Sequence, residues 1–443
     1  MTLSVAQAEN MLKRQLEERK RGPGYGRLPR QVTICGGGNG AHVCAGFLAW
    51  KGIKVNVLTR RPREWAPSIE IITQSSSWEA KGTFAGTLHV VSDEASRVVP
   101  GSEYVIIAAP ANAHPALLTK VAPHLDFGAK IGALFAQGGF DWAVKHAFGT
   151  EKIKRIGVMF GLQNIPWICK AVKYGHSARI LGPKKGLWVA TYPVEARDAT
   201  ARDLESMFDI PCHTLPNFLN LTLTPSNQII HPARYYAIFR DWDGKRSYSR
   251  RELEAREGLT LYKGMDEYSA ECLATLDNEL QQIKFALLQQ FPQLDLSYVM
   301  PIGERIVNQY GDDVTNRSSL RQIFRSNRGY SSCLTPLKEQ SPGRYQPLVE
   351  SRLFWEDIPY GLVILKNLVE LLGNFPTPAI DFMIRWHQTF MKKDYLLSDN
   401  QLNPRLLHET GAPCKYGIHR VEEIVETCLP RELLGYRHPR SRM

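Results

Sequence analysis

The sequence lacks the cysteine and histidine spacings that mark a metal site or a disulfide framework. Its eight cysteines stand far apart and include no C-x-x-C pair, and no signal peptide precedes them. We therefore expect free thiols in a reducing compartment and no metal site. No arginine–glycine run or aromatic RNA-binding motif accompanies the net charge of +11. The charge thus predicts a solvated surface that attracts anionic ligands, and no nucleic-acid partner.

Long apolar runs are also missing. No segment approaches the roughly 20 apolar residues of a membrane-spanning helix, so we expect no contact with a membrane. Residues 4–30 predict an amphipathic helix ended by Gly and Pro, and its glutamates argue against a mitochondrial transit peptide. We therefore expect a cytoplasmic protein. The terminal Ser441-Arg442-Met443 leaves a peroxisomal address open as the alternative.

The pattern of apolar residues predicts two domains, as a length of 443 residues suggests. Apolar runs such as VTIC, KVNVL, YVII and KIGA are followed by amphipathic helices, which is typical of a parallel sheet covered on both faces. After about Pro211 the periodicity is helical, and residues 327–347 read as a polar connection. We predict an α/β fold with an N-terminal extension (1–30), a doubly wound Rossmann-type dinucleotide-binding domain (31–205) and a mostly α-helical substrate domain (206–443).

The segment VTICGGGNGAH fits the dinucleotide loop G-x-G-x-x-A. Gly36 permits the tight turn, Gly38 lets the backbone approach a pyrophosphate, and Ala41 lets helix and sheet pack closely. The alternative is a purely structural glycine turn, but the strand before it and the helix after it are the context that the motif requires. We predict that the dinucleotide binds along seven consecutive residues: Gly36, Gly37, Gly38, Asn39, Gly40, Ala41 and His42.

The second strand ends in arginines where an acidic residue usually binds the ribose of NAD. Arg60 and Arg61 favour the 2′-phosphate of NADP on electrostatics alone. The alternative is that they only flank the adenine pocket. Ala109 and Pro110, at the end of a later strand, are predicted to border the nicotinamide ribose, and His114 is expected on a helix surface.

A second group of residues predicts acid–base chemistry. His231 stands before a proline in an apolar stretch, where a histidine alone is more often a hydrogen-bonded core residue than a catalyst. Arg352 and Asp357 lie close together ahead of a helix. A carboxylate can orient an imidazole, and an arginine can bind a substrate carboxylate through two hydrogen bonds. The three residues together indicate hydride chemistry on a carbonyl or an imine.

Three motifs resemble the octopine/nopaline (opine) dehydrogenases, and the animal enzymes more than the bacterial ones. They are GGGNGAH, the HPA…WDGK segment and R-x-x-x-E-D-I-P; IPWICK, ILGPKK, LYKGMDE and KYGI add weaker matches in the same order, from about residue 31 to 420. The resemblance implies that an amino acid condenses with pyruvate and that the imine is reduced by a nicotinamide cofactor, with the two domains closing over the substrates. It assigns acid–base catalysis to His231 and Asp357, and the binding of a substrate carboxylate to Arg352.

The resemblance also bears on the substrates, the cofactor and the assembly. Octopine-forming members carry an acidic residue at the position of Gln163, so a neutral glutamine points to taurine, alanine, β-alanine or glycine instead of arginine; the alternative is that Gln163 only packs beneath Trp167. Cys169 and Trp355 either line the amino-acid pocket or fill a core. NADH is the preferred cofactor, because the animal enzymes use it without an acidic residue at the second strand, and NADPH is the alternative. A monomer or a weak dimer is expected.

Two rival hypotheses stay open at this point. The first is another 2-ketoacid or hydroxyacid reductase with the same cofactor fold. The second is a dinucleotide-binding or nucleic-acid-binding protein that has no catalytic activity.

Overall fold

A computed structural model describes residues 26–73, 82–330 and 333–433. The predicted N-terminal amphipathic helix and the Ser441-Arg442-Met443 tail lie outside these ranges. Within them the chain forms two compact units, one ending at Leu221 and resuming at Glu426, and the other spanning Thr222–Val425. The sequence predicted the boundary earlier, between residues 205 and 206. No helix in the described ranges is both long and apolar enough to cross a membrane.

The first unit is built on a mainly parallel sheet, which confirms the predicted fold class. The strands of this sheet and of a second sheet are β1 (Gln31–Cys35), β2 (Lys54–Leu58), β3 (Ser68–Thr73), β4 (Gly82–Thr87), β5 (Val90–Ser92), β6 (Tyr104–Ile107), β7 (Lys130–Ala133), β8 (Val158–Leu162), β9 (Trp167–Lys173), β10 (Ser177–Pro183), β11 (Leu187–Tyr192) and β12 (Cys212–Thr214). The order in the parallel sheet is β12-β11-β8-β7-β6-β1-β2-β5, with β11 antiparallel to β8.

Continuous apolar strands form the core of this sheet. Val32 pairs with Val55 on one side and with Tyr104 on the other, so β1 is central and completely buried at Val32 and Ile34. The flanking helices are α1 (Asn39–Trp50), α2 (Ala95–Val98), α3 (His114–Val121), α4 (Phe140–Lys152), α5 (Arg197–Phe208) and α6 (Phe218–Thr222). No side chain caps the N-terminus of α5.

A second sheet of the first unit, in the order β4-β3-β10-β9, was not predicted. It packs on α1, where a Cβ at Gly86 would overlap the carbonyl oxygen of Gly46 and a Cβ at Gly46 would lie 2.8 Å from Ile71. Glycines at both positions therefore allow the close approach of sheet and helix. The weakly matching motifs IPWICK and ILGPKK lie along β9 and β10 of this sheet.

The second unit is mostly helical, as predicted. Its helices are α7 (Asn227–Phe239), α8 (Arg250–Ala255), α9 (Glu267–Gln290), α10 (Ile302–Tyr310), α11 (Leu320–Ser326), α12 (Arg352–Trp355), α13 (Val363–Leu371), α14 (Pro378–Met391) and α15 (Val421–Val425), with a π-helical turn at Ile358–Leu362 before α13. The interpretation of residues 327–347 as only a polar connection was wrong, because they contain the hairpin β14 (Leu337–Ser341) and β15 (Arg344–Pro347), which pairs with β13 (Tyr248–Ser249).

The long helix α9 organises the core of the second unit. Leu273, Leu276, Leu280, Ile283 and Leu287 recur at helical spacing and are each 0–1% exposed. Burial of one such side chain contributes roughly 1.5–3 kcal/mol. Helix α9 packs against α7, the helix that carries His231.

Candidate active site

The glycine loop between β1 and α1 forms one wall of a cavity of about 530 Å³ in the first unit. Gly36 has φ +147°, and a Cβ there would overlap the carbonyl oxygen of Ala108, so only glycine fits this turn. Gly38 is the N-cap of α1 and no side chain caps the helix. A Cβ at Gly38 would meet nothing within 4 Å. The uncapped helix N-terminus therefore offers open space and backbone N–H groups to an anionic group such as a pyrophosphate.

Three of the predicted loop residues, Gly36, Gly37 and Gly38, line the cavity together with residues from three strand ends, whereas Gly40 and Ala41 are not part of its wall. Besides the loop, its walls are formed by Leu58, Thr59, Arg60, Arg61, Asp93, Ala108, Ala109, Pro110, Asn112, Ala113, Ala116, Leu117, Lys120 and Tyr174. Both arginines predicted at the end of β2 are thus part of the wall, as are Ala109 and Pro110. Asp93, which follows β5, brings a carboxylate that the sequence did not predict.

Arg61 and Tyr174 form a charged, aromatic corner of this cavity. The guanidinium of Arg61 lies 3.6 Å from the ring centroid of Tyr174, and its Nη1 lies 3.2 Å from Glu64 Oε2. Arg60 is exposed. The charge of Arg61 is therefore already shared between a carboxylate and a π-face, which fits the alternative that it flanks an adenine.

His42 and Asn39 hold the loop from behind instead of facing the cavity. The Gly175 N–H donates to His42 Nε2 at 2.7 Å, so Nδ1 carries the proton and donates to the Gly38 carbonyl at 2.8 Å. Burial lowers the pKa of His42, and the charge of Arg61 lowers it further. Asn39 Oδ1 accepts a hydrogen bond from the Ala171 N–H at 3.0 Å. These bonds connect the glycine loop to β9 and to the turn that follows it.

His114 does not lie on a helix surface, and that expectation was wrong. Its side chain is 1% exposed, and its Nε2 donates to the carbonyl of Ala109 at 2.9 Å. Burial lowers the pKa of His114 to about 4. His114 begins α3, and its ring bonds to the carbonyl of Ala109, which follows β6. This bond holds Ala109 in its place in the cavity wall.

In the second unit, His231 and Asp357 form a buried pair. His231 Nδ1 lies 2.7 Å from Asp357 Oδ2, and the two side chains are 2% and 3% exposed. Because a carboxylate only accepts, Nδ1 carries a proton and donates it in this bond. The other nitrogen, Nε2, lies 2.6 Å from the hydroxyl oxygen of Tyr262. This arrangement fixes the ring plane and leaves Nε2 as the nitrogen that can exchange a proton.

Local backbone features bring Asp357 to His231. Pro232 lies inside α7 and has no N–H, so the helix lacks one hydrogen bond beside the histidine. The π-helical turn begins just after Asp357, and a Cβ at Gly361 would overlap the Cβ of Gln228 on α7. The glycine therefore lets this turn lie directly against the helix that carries His231.

A buried arginine one turn after the histidine positions Tyr262. Arg234 is 0% exposed and donates to the carbonyls of Glu257 and Leu261 at 2.6 and 3.1 Å. Burial lowers the pKa of Arg234 to about 10, and the nearby Asp266 opposes that shift. A Cβ at Gly264 would lie 2.5 Å from Arg234 Nη2. Arg234 thus organises the loop around Tyr262, within the LYKGMDE motif.

Arg352 and Trp355 lie on the short helix α12, just before Asp357. The Arg352 carbonyl accepts the backbone N–H of Asp357 at 3.2 Å, while its side chain is exposed. Among the described residues, the guanidinium has no hydrogen-bond or ion-pair partner. Trp355 is 36% exposed. An exposed guanidinium next to the His231–Asp357 pair is available to bind a carboxylate.

Gln163 and Cys169 belong to the first unit. Gln163 follows β8, is 5% exposed, and donates its backbone N–H to the Trp188 carbonyl at 2.9 Å. Cys169 lies on β9 and packs against the core beside α1, and burial raises the pKa of its thiol to about 11. All eight cysteines are free thiols. Among the described residues, no group of His, Cys, Asp and Glu could hold a metal ion.

Comparisons with known proteins agree with these features. A family model described as NAD/NADP octopine/nopaline dehydrogenase, alpha-helical domain, matches residues 214–391. The chain is 29% identical to the tauropine dehydrogenase of Arabella iricolor over 408 residues, which cover 89% of this chain and 99% of the relative. It is 28% identical to the opine dehydrogenase of Haliotis discus hannai over 409 residues, with 89% and 98% covered.

A solved structure of octopine dehydrogenase with NADH and L-arginine is also similar, with a TM-score of 0.77 at 25% identity. The match covers 92% of this chain and 98% of that one. The similarity therefore extends over the dinucleotide loop as well as the helical unit. This chain belongs to the octopine/nopaline (opine) dehydrogenase family.

Proposed function

We propose that the protein is an NAD(H)-dependent opine dehydrogenase, which joins the amino group of an amino acid to the keto carbon of pyruvate and reduces the imine. The buried pair of His231 and Asp357 carries this proposal, because reduction of an imine consumes a proton. An amine and a ketone first form the imine and release water. One hydride and one proton then give the secondary amine.

The dinucleotide cavity fits a nicotinamide cofactor. Gly36 and Gly38 leave room for a pyrophosphate at the uncapped N-terminus of α1. When bound, NADH supplies the hydride for the former keto carbon. NADH is preferred over NADPH because Asp93 faces the cavity and because Arg61 is already engaged with Glu64.

His231 is the acid in the direction of imine reduction. Its Nε2 releases the proton that the reduction consumes, and Asp357 accepts from Nδ1–H throughout, which stabilises the imidazolium. Arg352 binds a carboxylate of the substrates through its unpaired guanidinium. In the reverse direction the same imidazole takes the proton back.

A small amine fits better than arginine. The neutral Gln163 offers no charge to a guanidinium, whereas the octopine dehydrogenase described above binds L-arginine. We therefore propose taurine, alanine, β-alanine or glycine as the amine, with Gln163 and Cys169 of the first unit and Trp355 of the second as candidate contacts, each to be tested by itself.

An amine panel tests the proposed function. NADH oxidation is followed at fixed pyruvate, without an amine and then with taurine, alanine, β-alanine, glycine or arginine, and the series is repeated with NADPH. We expect oxidation that requires both pyruvate and a small amine. Turnover with pyruvate alone that no amine changes would contradict the proposal and would favour a 2-ketoacid reductase.

Variants of the buried pair test its role. His231→Ala and Asp357→Asn should lower kcat by roughly 10²–10⁴-fold, the usual contribution of a general acid, and leave NADH binding intact. His408→Ala, at an exposed histidine, is the matched control and should keep wild-type turnover. Loss of NADH binding in parallel with turnover would indicate a structural role for the pair.

Arg352 is tested by a comparison of KM values. Arg352→Ala should raise the KM for one carboxylate substrate by roughly 100-fold, because a bidentate charged hydrogen bond contributes about 3 kcal/mol. Arg352→Lys keeps the charge and should recover part of that loss. An unchanged KM in Arg352→Ala would remove this residue from the site.

A further inference from the structure

The catalytic nitrogen of His231 already has a hydrogen-bond partner. Tyr262 Oη lies 2.6 Å from His231 Nε2 and 3.1 Å from Asn227 Oδ1. An imidazole nitrogen has one in-plane direction for a hydrogen bond, and Tyr262 occupies it. A substrate nitrogen can therefore reach the proton on Nε2 only through the tyrosine hydroxyl, unless Tyr262 leaves its place.

We propose that Tyr262 relays the proton between His231 and the substrate, an inference that rests on the proposed function. In the reduction, the Tyr262 O–H proton passes to the substrate nitrogen while the Nε2 proton of His231 passes to Oη. The imidazolium becomes a neutral imidazole, the substrate nitrogen gains one proton, and the tyrosine ends as it began. Asp357 keeps its hydrogen bond to Nδ1–H.

The hydrogen-bond network satisfies both protonation states of His231 without movement of a heavy atom. With a neutral imidazole, the Tyr262 O–H donates to Nε2. With an imidazolium, Nε2–H donates to Oη and the Tyr262 O–H turns to Asn227 Oδ1. In the imidazolium state the hydroxyl proton is thus directed away from Nε2, as donation to a substrate nitrogen requires. Nε2 and Oη thus stay paired with each other in both states, whereas the half-buried Asn227 Oδ1 accepts from Tyr262 only in the imidazolium state.

The surroundings keep Tyr262 a neutral hydroxyl. Burial raises its pKa well above the ordinary value, Cys333, Tyr310 and Asp357 add to that, and the positive charge of Arg352 opposes it. A phenolate is therefore disfavoured, and the two proton transfers are coupled.

The ring itself is held rigidly. Tyr262 stacks on Tyr330 with ring centroids 4.4 Å apart, and Arg234 fixes the carbonyls of the surrounding loop. Displacement of Tyr262 would break this stacking and open a cavity in a site where the tyrosine is only 8% exposed. A relay through the hydroxyl needs no such rearrangement, and so we prefer it.

Tyr262→Phe tests the relay, with Tyr395→Phe as the matched control that removes a hydroxyl from a buried tyrosine of the same unit outside this network. We expect Tyr262→Phe to lower kcat by about 100-fold or more, as loss of a general acid does, with the KM for NADH unchanged. Tyr395→Phe should stay within about threefold of wild type. Wild-type kcat in Tyr262→Phe would overturn the relay.

A second variant tests the relay without removing any contact that the folded protein needs. Replacement of Tyr262 by 3-fluorotyrosine retains shape and hydroxyl but makes the hydroxyl more acidic. A relay predicts a changed solvent isotope effect on kcat and a shifted pH–rate profile, whereas a bystander tyrosine predicts wild-type values for both, which would overturn the proposal. The profile is interpreted with Asp357, Arg352, Tyr310 and Cys333 in place, since all four act electrostatically on Tyr262 and Asp357 also binds His231.

A third measurement needs no substrate. In ¹⁵N-histidine spectra, assigned with His231→Gln, Tyr262→Phe should move the Nε2 resonance of His231, and an unmoved resonance would contradict the hydrogen bond on which the relay depends. Failure of the proposed function is recognised differently, as pyruvate-dependent turnover of the wild-type protein that no amine changes. The two failures are therefore distinguishable.

Discussion

Asp93 brings a negative charge into a cavity whose local sequence motif contains only positive ones. The carboxylate comes from the end of β5, the strand next to β2, while Arg60 and Arg61 come from the end of β2 itself. A carboxylate accepts hydrogen bonds from ribose hydroxyls and repels a 2′-phosphate. The balance between Asp93 and the arginines, and not the arginines alone, should therefore set the preference between NADH and NADPH.

This balance leads to a prediction on cofactor choice. Asp93→Asn should raise the KM for NADH by about tenfold, the effect of one lost charged hydrogen bond, and lower the KM for NADPH. Arg60→Ala should raise the KM for NADPH, because it removes a positive charge that would attract the 2′-phosphate. Glu94→Gln, at the adjacent exposed glutamate outside the cavity wall, is the matched control and should change neither. Equal changes for both cofactors in Asp93→Asn would show that its carboxylate does not discriminate between them.

Motifs were enough to select some residues of the site but not others. His231, Asp357 and Arg352 stand in segments with unusual residue combinations, and the structure places the first two within hydrogen-bonding distance. Tyr262 stands in LYKGMDE, a weak match that assigned it no role, and Asp93 stands in no motif, because a tyrosine or an aspartate in a loop has no period and no required spacing. The pairing of β5 with β2 brings Asp93 to the cavity, and the loop held by Arg234 positions Tyr262. Both arrangements are seen only in the folded structure.

The π-helical turn between α12 and α13 connects packing to chemistry. It follows Asp357 directly, and its Gly361 faces Gln228 on the helix that carries His231. A π-turn widens the helix by one residue, and such turns are frequent at functional sites. The close approach at Gly361 thus determines the distance between the carboxylate and the imidazole.

Gly361→Ala should therefore affect both stability and turnover. The added methyl overlaps Gln228, so we expect a loss of roughly 1–3 kcal/mol of unfolding free energy, typical of overpacking, and a lower kcat as Asp357 moves from His231. Gly303→Ala on α10 is the matched control, because its added Cβ would lie at an ordinary 3.4 Å from Ile323. Urea unfolding and NADH oxidation measure the two effects, and an unchanged kcat in Gly361→Ala would separate this contact from catalysis.

The elements themselves were predictable where one period dominates. The buried strands of the parallel sheet read as continuous apolar runs, and α9 and α14 show a clear helical stripe. The sheet formed by β3, β4, β9 and β10 was missed because β9 is largely exposed and its alternation is irregular. The hairpin of β14 and β15 was missed for the same reason, since nearly all of its residues are polar.

Each unit of the molecule contains a histidine that is buried in the neutral form. Burial lowers the pKa of His114 in the first unit and of His387 in the second to about 4, from an ordinary value of 6.5. Below pH 6.5 the unfolded chain binds protons that the folded chain does not. The stability contributed by each neutral imidazole is therefore present above pH 6.5 and is lost as the pH falls towards 4.

We expect the free energy of unfolding to fall by about 1.4 kcal/mol per histidine for each pH unit between 6.5 and 4. Urea unfolding at pH 7, 6, 5 and 4 measures this decrease. His387→Leu should flatten the dependence in the second unit, whereas His408→Ala, at an exposed position, should not. An equally steep dependence in His387→Leu would assign the acid sensitivity to other groups.

The return of the chain to its first unit has a consequence for biosynthesis. Residues 426–433 belong with the dinucleotide-binding unit although they follow the whole helical unit, and buried Cys428 lies close to Leu219. Domains generally begin to fold as they leave the ribosome. The helical unit is complete once Val425 has been synthesised, whereas the dinucleotide-binding unit, although begun first, is finished last.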